Sequence, residues 1–82
     1  MKISLMYFAA LREALDLSEE VIEFSLSQMT GQELLDELSK RYPQAVDTLQ
    51  SCTLAQDMQY TALGEPIQPG VQVALIPPVS GG

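Results

Sequence analysis

The chain is 82 residues long, and because each further domain usually needs roughly 100–200 residues, its side chains serve one core. With 46% apolar and 18% charged residues it has the composition of a packed domain, which excludes wholesale disorder. Four basic against eleven acidic side chains leave a formal charge of −7, which argues against nucleic acid and membrane as partners and favours proteins that present basic surfaces.

Residues Lys2 to Phe8 alternate, with Ile3, Leu5 and Tyr7 on one face and Lys2, Ser4, Met6 and Phe8 on the other, which predicts a strand. Lys2 leads straight into that strand with no signal-type apolar run, so the expected location is cytoplasmic. After Phe8 the period changes from 2 to 3.6, and Leu11, Ala14 and Leu15 fall at helical spacing around Arg12 and Glu13, predicting a short helix. From Glu19 to Leu26 the alternation returns, with Ile22, Phe24 and Leu26 expected to face inward.

Thr30 and Glu33 have the spacing of a capping box, and Met29 and Leu34 that of the accompanying hydrophobic staple. A helix is therefore predicted from Thr30, with Leu34, Leu35, Leu38 and Tyr42 as its buried stripe and its end near Arg41, because Pro43 cannot continue it. Asp36 with Lys40 and Glu37 with Arg41 are read as i,i+4 ion pairs on its solvated face. Ala45, Val46 and Leu49 predict one more helical turn, followed by short strands over 51–56 and 59–62 around Asp57-Met58. Leu63-Gly64-Glu65-Pro66 and Gln68-Pro69-Gly70 carry turn chemistry, and Val71 to Ile76 alternates as a last strand that Pro77 and Pro78 stop.

One sheet packed on one main amphipathic helix buries both the leucine stripe and the inward face of every strand, so the fold class is α+β. The strongly apolar first and last strands belong at the sheet centre, since edge strands are shorter and more polar. This is the arrangement of a β-grasp with a mixed sheet, residues 1–76 forming the domain and residues 77–82 an extended, flexible tail.

The sequence contains one cysteine, Cys52, and no histidine, which removes internal disulfides, zinc fingers and histidine-based triads. Cys52 alternates with Leu54 and is expected to pack as a small hydrophobe. No metal site is expected. The chemistry is expected instead in Pro77-Pro78-Val79-Ser80-Gly81-Gly82. Pro-Pro favours an extended segment, and two residues without Cβ pass through a narrow channel. The reactive group would then be the Gly82 carboxylate, which needs activation, most simply by ATP. The chain has no nucleotide-binding loop, so another protein must activate it.

The whole chain resembles the small subunits of molybdopterin synthase, the ubiquitin-like sulfur-carrier family MoaD. The resemblance rests on Val73-Ala74-Leu75-Ile76-Pro77-Pro78-Val79-Ser80-Gly81-Gly82 and on Tyr7-Phe8-Ala9-Ala10-Leu11-Arg12-Glu13. Gln56-Asp57 stands where the family often has Val-Asn, and Val71-Gln72 where Asp-Glu usually follows the turn glycine. The resemblance implies a sulfur carrier in molybdenum cofactor synthesis that acts as the sulfur-donating subunit of a synthase and is not catalytic alone. Gly82 would be adenylated with ATP by an E1-like enzyme, MoeB, and converted to a thiocarboxylate by a sulfur donor. Pro77, Pro78, Val79, Ser80 and Gly81 would lie in a channel of the large subunit, MoaE, where the sulfur reaches cyclic pyranopterin monophosphate. Two small and two large subunits would make a hetero-tetramer, with no permanently bound cofactor. Carriers for thiamine or tRNA thiolation, and ubiquitin-like modifiers, are the alternatives.

The alternation also places Met6, Phe8, Ala74 and Ile76 on the face away from the main helix, where they are expected to form an apolar partner interface beside the tail. The alternative is that the short helix covers them.

Overall fold

Alternation over Lys2–Tyr7 builds β1, with Ile3, Leu5 and Tyr7 buried on one side. The computed structural model describes residues 1–78. Helix α1 (Ala9–Leu15) follows directly, and the chain turns into it at Ala9, whose φ of 50° lies in the left-handed region. Leu11 is buried and Leu15 half-buried, but Ala14, expected on the same stripe, is exposed. β2 (Glu19–Glu23) ends earlier than expected. Ile22 and Phe24 point into the core, but Leu26 is 40% exposed, because the pairing with β1 runs only from Glu19 to Glu23.

Helix α2 (Gly31–Arg41) begins at the expected capping box. The Glu33 amide donates to Thr30 Oγ1 at 3.2 Å, and the Thr30 amide donates to Glu33 Oε1 at 2.8 Å. Met29 and Leu34 are both buried beside it. Two surface pairings differ from expectation. Lys40 reaches Glu37 one turn back at 3.0 Å, while Asp36 accepts from the side-chain amides of Gln32 and Gln50. An amide from the next helix thus occupies the carboxylate assigned to Lys40. A 3₁₀ turn at Pro43–Ala45 leads into α3 (Val46–Gln50), then β3 (Thr53–Gln56), β4 (Gln59–Thr61) and β5 (Gln72–Ile76).

The five strands form one mixed sheet in the order β2-β1-β5-β3-β4, with β1 parallel to β5 and the other pairs antiparallel. The apolar first and last strands are thus neighbours inside the sheet. Ile3, Leu5, Tyr7, Leu54, Val73 and Leu75 form one core with Leu11, Leu34, Leu35, Leu38 and Leu49, so the helices cover a single face of the sheet. A polar clasp closes one end of this layer. Tyr7 of β1 and Tyr42 at the end of α2 both donate to Glu20 Oε2, each at 2.6 Å. Among the described residues, every buried side-chain nitrogen and oxygen has a hydrogen-bond partner.

Candidate functional site

Parallel pairing of β1 with β5 sets Met6 opposite Ala74 and Tyr7 opposite Leu75. The Phe8 amide then donates to the Leu75 carbonyl at 3.3 Å, which carries the pairing to the end of β5. Since partners in register share a face, Met6 and Ala74 lie on the side opposite the helices, with Phe8 and Ile76 one step further along the same side. Helix α1 packs on α3 and the 3₁₀ turn with Leu11 in the core, so it lies on the other face and leaves this one open. The structure therefore brings together all four residues expected at the interface. Phe8 is 37% exposed, and Met6, Ala74 and Ile76 are half-buried.

Pairing extends the row beyond these four. Met6 is opposite Glu19, Ala74 opposite Ala55, and Ala55 opposite Tyr60, so one line of side chains crosses all five strands. Tyr60 is 77% exposed. Met6, Phe8, Asp57, Met58, Gln72 and Ala74 line a shallow depression of ≈ 450 Å³ on this face. Sequence reading missed Ala55, Met58 and Tyr60. A two-residue turn at Asp57-Met58 pairs 56 with 59 and 55 with 60, so Leu54 pointing inward already puts Ala55 and Tyr60 outward. That signal becomes readable only once the turn length is known.

Pro77 departs from expectation. The sequence predicts it in a projecting tail, yet it is buried, and it lines a groove of ≈ 290 Å³ with Ala10 of α1, Asp47 and Thr48 of α3, Ser51 and Pro78. The ring lies beside the two short helices because β5 ends next to them, and Pro78 after it is exposed. Val79, Ser80, Gly81 and Gly82, the rest of the expected tail, lie outside the described residues.

Cys52 and Tyr7 are poorly suited to covalent chemistry. Cys52 is buried, its Sγ 3.3 Å from the Thr48 carbonyl, and burial pushes the thiol up to about 11 from its ordinary 9.0, which keeps it protonated and unreactive at neutral pH. Tyr7 is pushed above the ordinary phenol range, first by burial and then by its bond to Glu20. No described helix is long and apolar enough to cross a membrane.

The sequence matches the family model described as ThiS family over residues 5–82. It is 34% identical over 82 residues to the molybdopterin synthase sulfur carrier subunit of Mycobacterium tuberculosis, covering 99% of this chain and 98% of that protein. Among solved structures, SAMP1 from Haloferax volcanii, a small archaeal modifier protein, aligns with a TM-score of 0.80 at 24% identity over 100% of both chains. A chain in the complex of subunits 1 and 2 of the molybdopterin-converting factor from Helicobacter pylori aligns with a TM-score of 0.65 at 22% identity, again over 100% of both. These two structures share the fold seen here.

Proposed function

The chain belongs to the ThiS family, and we propose that it is the sulfur carrier of a molybdopterin synthase, with Gly82 as the sulfur-bearing residue. The observation that carries this reading is a full-length likeness to a named sulfur carrier subunit in a chain whose central strand runs into Pro77-Pro78-Val79-Ser80-Gly81-Gly82. A large subunit is its partner. The other participants are an E1-like adenylating enzyme of the MoeB kind and a sulfur donor, working in the cytoplasm, with two small and two large subunits in the synthase.

A Gly82 carboxylate oxygen attacks the α-phosphorus of ATP on the activating enzyme, pyrophosphate leaves, and an acyl-adenylate forms. Sulfide from the donor then attacks the acyl carbon, AMP leaves, and a thiocarboxylate remains. Its sulfur is softer and more nucleophilic than the oxygen it replaces, and in the large subunit it attacks a carbon of cyclic pyranopterin monophosphate, forming a C–S bond as the oxygen substituent on that carbon leaves. Cleavage of the acyl C–S bond by water returns the carboxylate. The domain contributes grip and reach. Cys52 offers no competing nucleophile, since its thiol is buried and protonated. Sulfurtransferase activity belongs to the assembled synthase.

The test is reconstitution with the activating enzyme, ATP and sulfide, followed by intact mass measurement. A mass gain equal to replacing one oxygen by sulfur, lost on adding the large subunit and precursor and absent when Gly82 is deleted, is the expected result. Sulfur transfer by the chain lacking Gly82 would overturn the terminal-carboxylate mechanism, and ladders of conjugates to other proteins would identify a modifier instead.

A further inference from the structure

The tip of the β3–β4 hairpin combines two unfavourable features in one residue. Asp57 and Met58 form a two-residue turn with φ of 48° and 70°, both left-handed. Turns of this kind select Asn, Asp and Gly, because a Cβ crowds the backbone at positive φ. Asp57 suits its place, but a long apolar side chain at the second position is strained. Met58 is also 96% exposed, so its side chain gains no burial in return. Strain with no stabilising contact in the same molecule is a mark of a site built for something outside it.

Met58 stands at the rim of the apolar depression that Met6, Phe8 and Ala74 line. We propose that Met58 is an anchor by which the large subunit grips this domain, its side chain held out by the strained turn to enlarge the open-face contact. This rests on the reading of Gly82 as the sulfur-bearing residue. On that reading only Val79 to Gly82 separate the domain from the large subunit's active site, a reach of at most ~14 Å beyond Pro78. The large subunit must therefore abut the strand ends at Phe8 and Ile76. From Ile76 back to Gln72, where the hairpin tip is tied, is only ~13 Å along the strand. A specific interface covers about 800 Å² on each partner, broad enough to include both ends of this face.

Charge describes the partner's surface further. Asp57 lines the depression and Glu19 ends the row beyond Met6, on a chain of net charge −7. The matching surface is an apolar contact with a basic rim. Methionine suits such an anchor because its unbranched thioether adapts to the pocket it enters.

The experiment compares wild type, Met58→Gly, Met58→Asn and Met58→Leu by calorimetric titration against the large subunit from the same genome and against the activating enzyme, with melting temperature measured on each variant. Gly and Asn accept the left-handed backbone, so their melting temperatures are expected to hold or rise by a few degrees. Their affinity for the large subunit is expected to fall at least about tenfold, while Met58→Leu stays within about threefold of wild type. Unchanged affinity in the Gly and Asn variants overturns the proposal, as does a melting temperature that falls with the affinity. A loss confined to the activating enzyme overturns the assignment to the large subunit. Failure of wild type itself to bind the large subunit would instead count against the functional reading beneath it.

Discussion

Asp57 and Gln72 hold each other across the hairpin tip and the start of β5. The Asp57 amide donates to the Gln72 carbonyl at 3.0 Å, and the Gln72 amide donates to Asp57 Oδ1 at 3.2 Å. Beside them the Gln68 amide donates to Gln56 Oε1 at 2.7 Å, and Gln56 Nε2 donates to the Pro66 carbonyl at 3.1 Å. The residue pairs Gln56-Asp57 and Val71-Gln72 therefore meet in one hydrogen-bonded patch. Asp57→Asn keeps an acceptor and tolerates the left-handed backbone, and is expected to change stability by less than about 0.5 kcal/mol. Asp57→Ala loses the bond and puts a poorly suited residue at positive φ, for a loss of about 1–2 kcal/mol. Urea unfolding of the two variants checks the difference.

Gly31 opens α2 against a wall. A Cβ there would lie 2.8 Å from Leu54 Cδ1 and 3.3 Å from the Leu63 backbone, which the Gln32 amide already engages by donating to the Leu63 carbonyl at 2.9 Å. Alanine favours a helix by about 1 kcal/mol over glycine, but Leu54 is fully buried and the backbone contact has nowhere to move. Gly31→Ala is expected to destabilise the domain by about 1–2 kcal/mol net, read as a lower melting temperature.

Alkaline titration should reveal the buried acids. Cys52 titrates near 11 in the fold against 9.0 ordinarily, and Tyr7 and Tyr42 are both raised from 10.0, in each case chiefly by burial. A raised acid keeps its proton longer in the native state, so the unfolded chain ionises first. The stabilisation is fully present below pH 9 and declines as pH rises through the folded values. Stability is therefore expected to fall from about pH 9 upward. Cys52→Ala, although less stable throughout because it leaves a small cavity, should have a slope between pH 9 and 11 shallower by up to about 1.4 kcal/mol per pH unit. Equal slopes would show that Cys52 ionises alike in both states.

Ile76→Asp tests the open face nearest the tail. Ile76 is opposite Thr53 on the side away from the core, and it is absent from the cluster that the helices cover. Affinity for the large subunit is expected to fall by at least about 1–2 kcal/mol with little change in melting temperature. Phe8→Ala should act in the same direction. Collapse of the fold in Ile76→Asp, or unchanged binding in both variants, would show that partners dock elsewhere.

Local patterns marked where most of the elements lie. Period-2 alternation marked β1 and β5, and the Thr30–Glu33 capping box fixed where α2 begins, because these signals involve residues within a turn or two of each other. The sequence also placed Met6, Phe8, Ala74 and Ile76 on one side, since parity along a strand needs no tertiary knowledge. Tertiary structure alone decided what depends on contacts distant in sequence. Leu26 keeps the right parity but is exposed, because β2 stops pairing at Glu23. Pro77 breaks the strand as its ring dictates, yet it is buried, because α1 and α3 arrive beside it from elsewhere in the chain. Tyr7, Glu20 and Tyr42 share one carboxylate oxygen, and Asp57 meets Gln72, through pairings that no local pattern encodes. Local sterics and hydrogen bonding write themselves into adjacent residues, whereas burial and clasps are properties of surfaces that exist only after the strands have found their order.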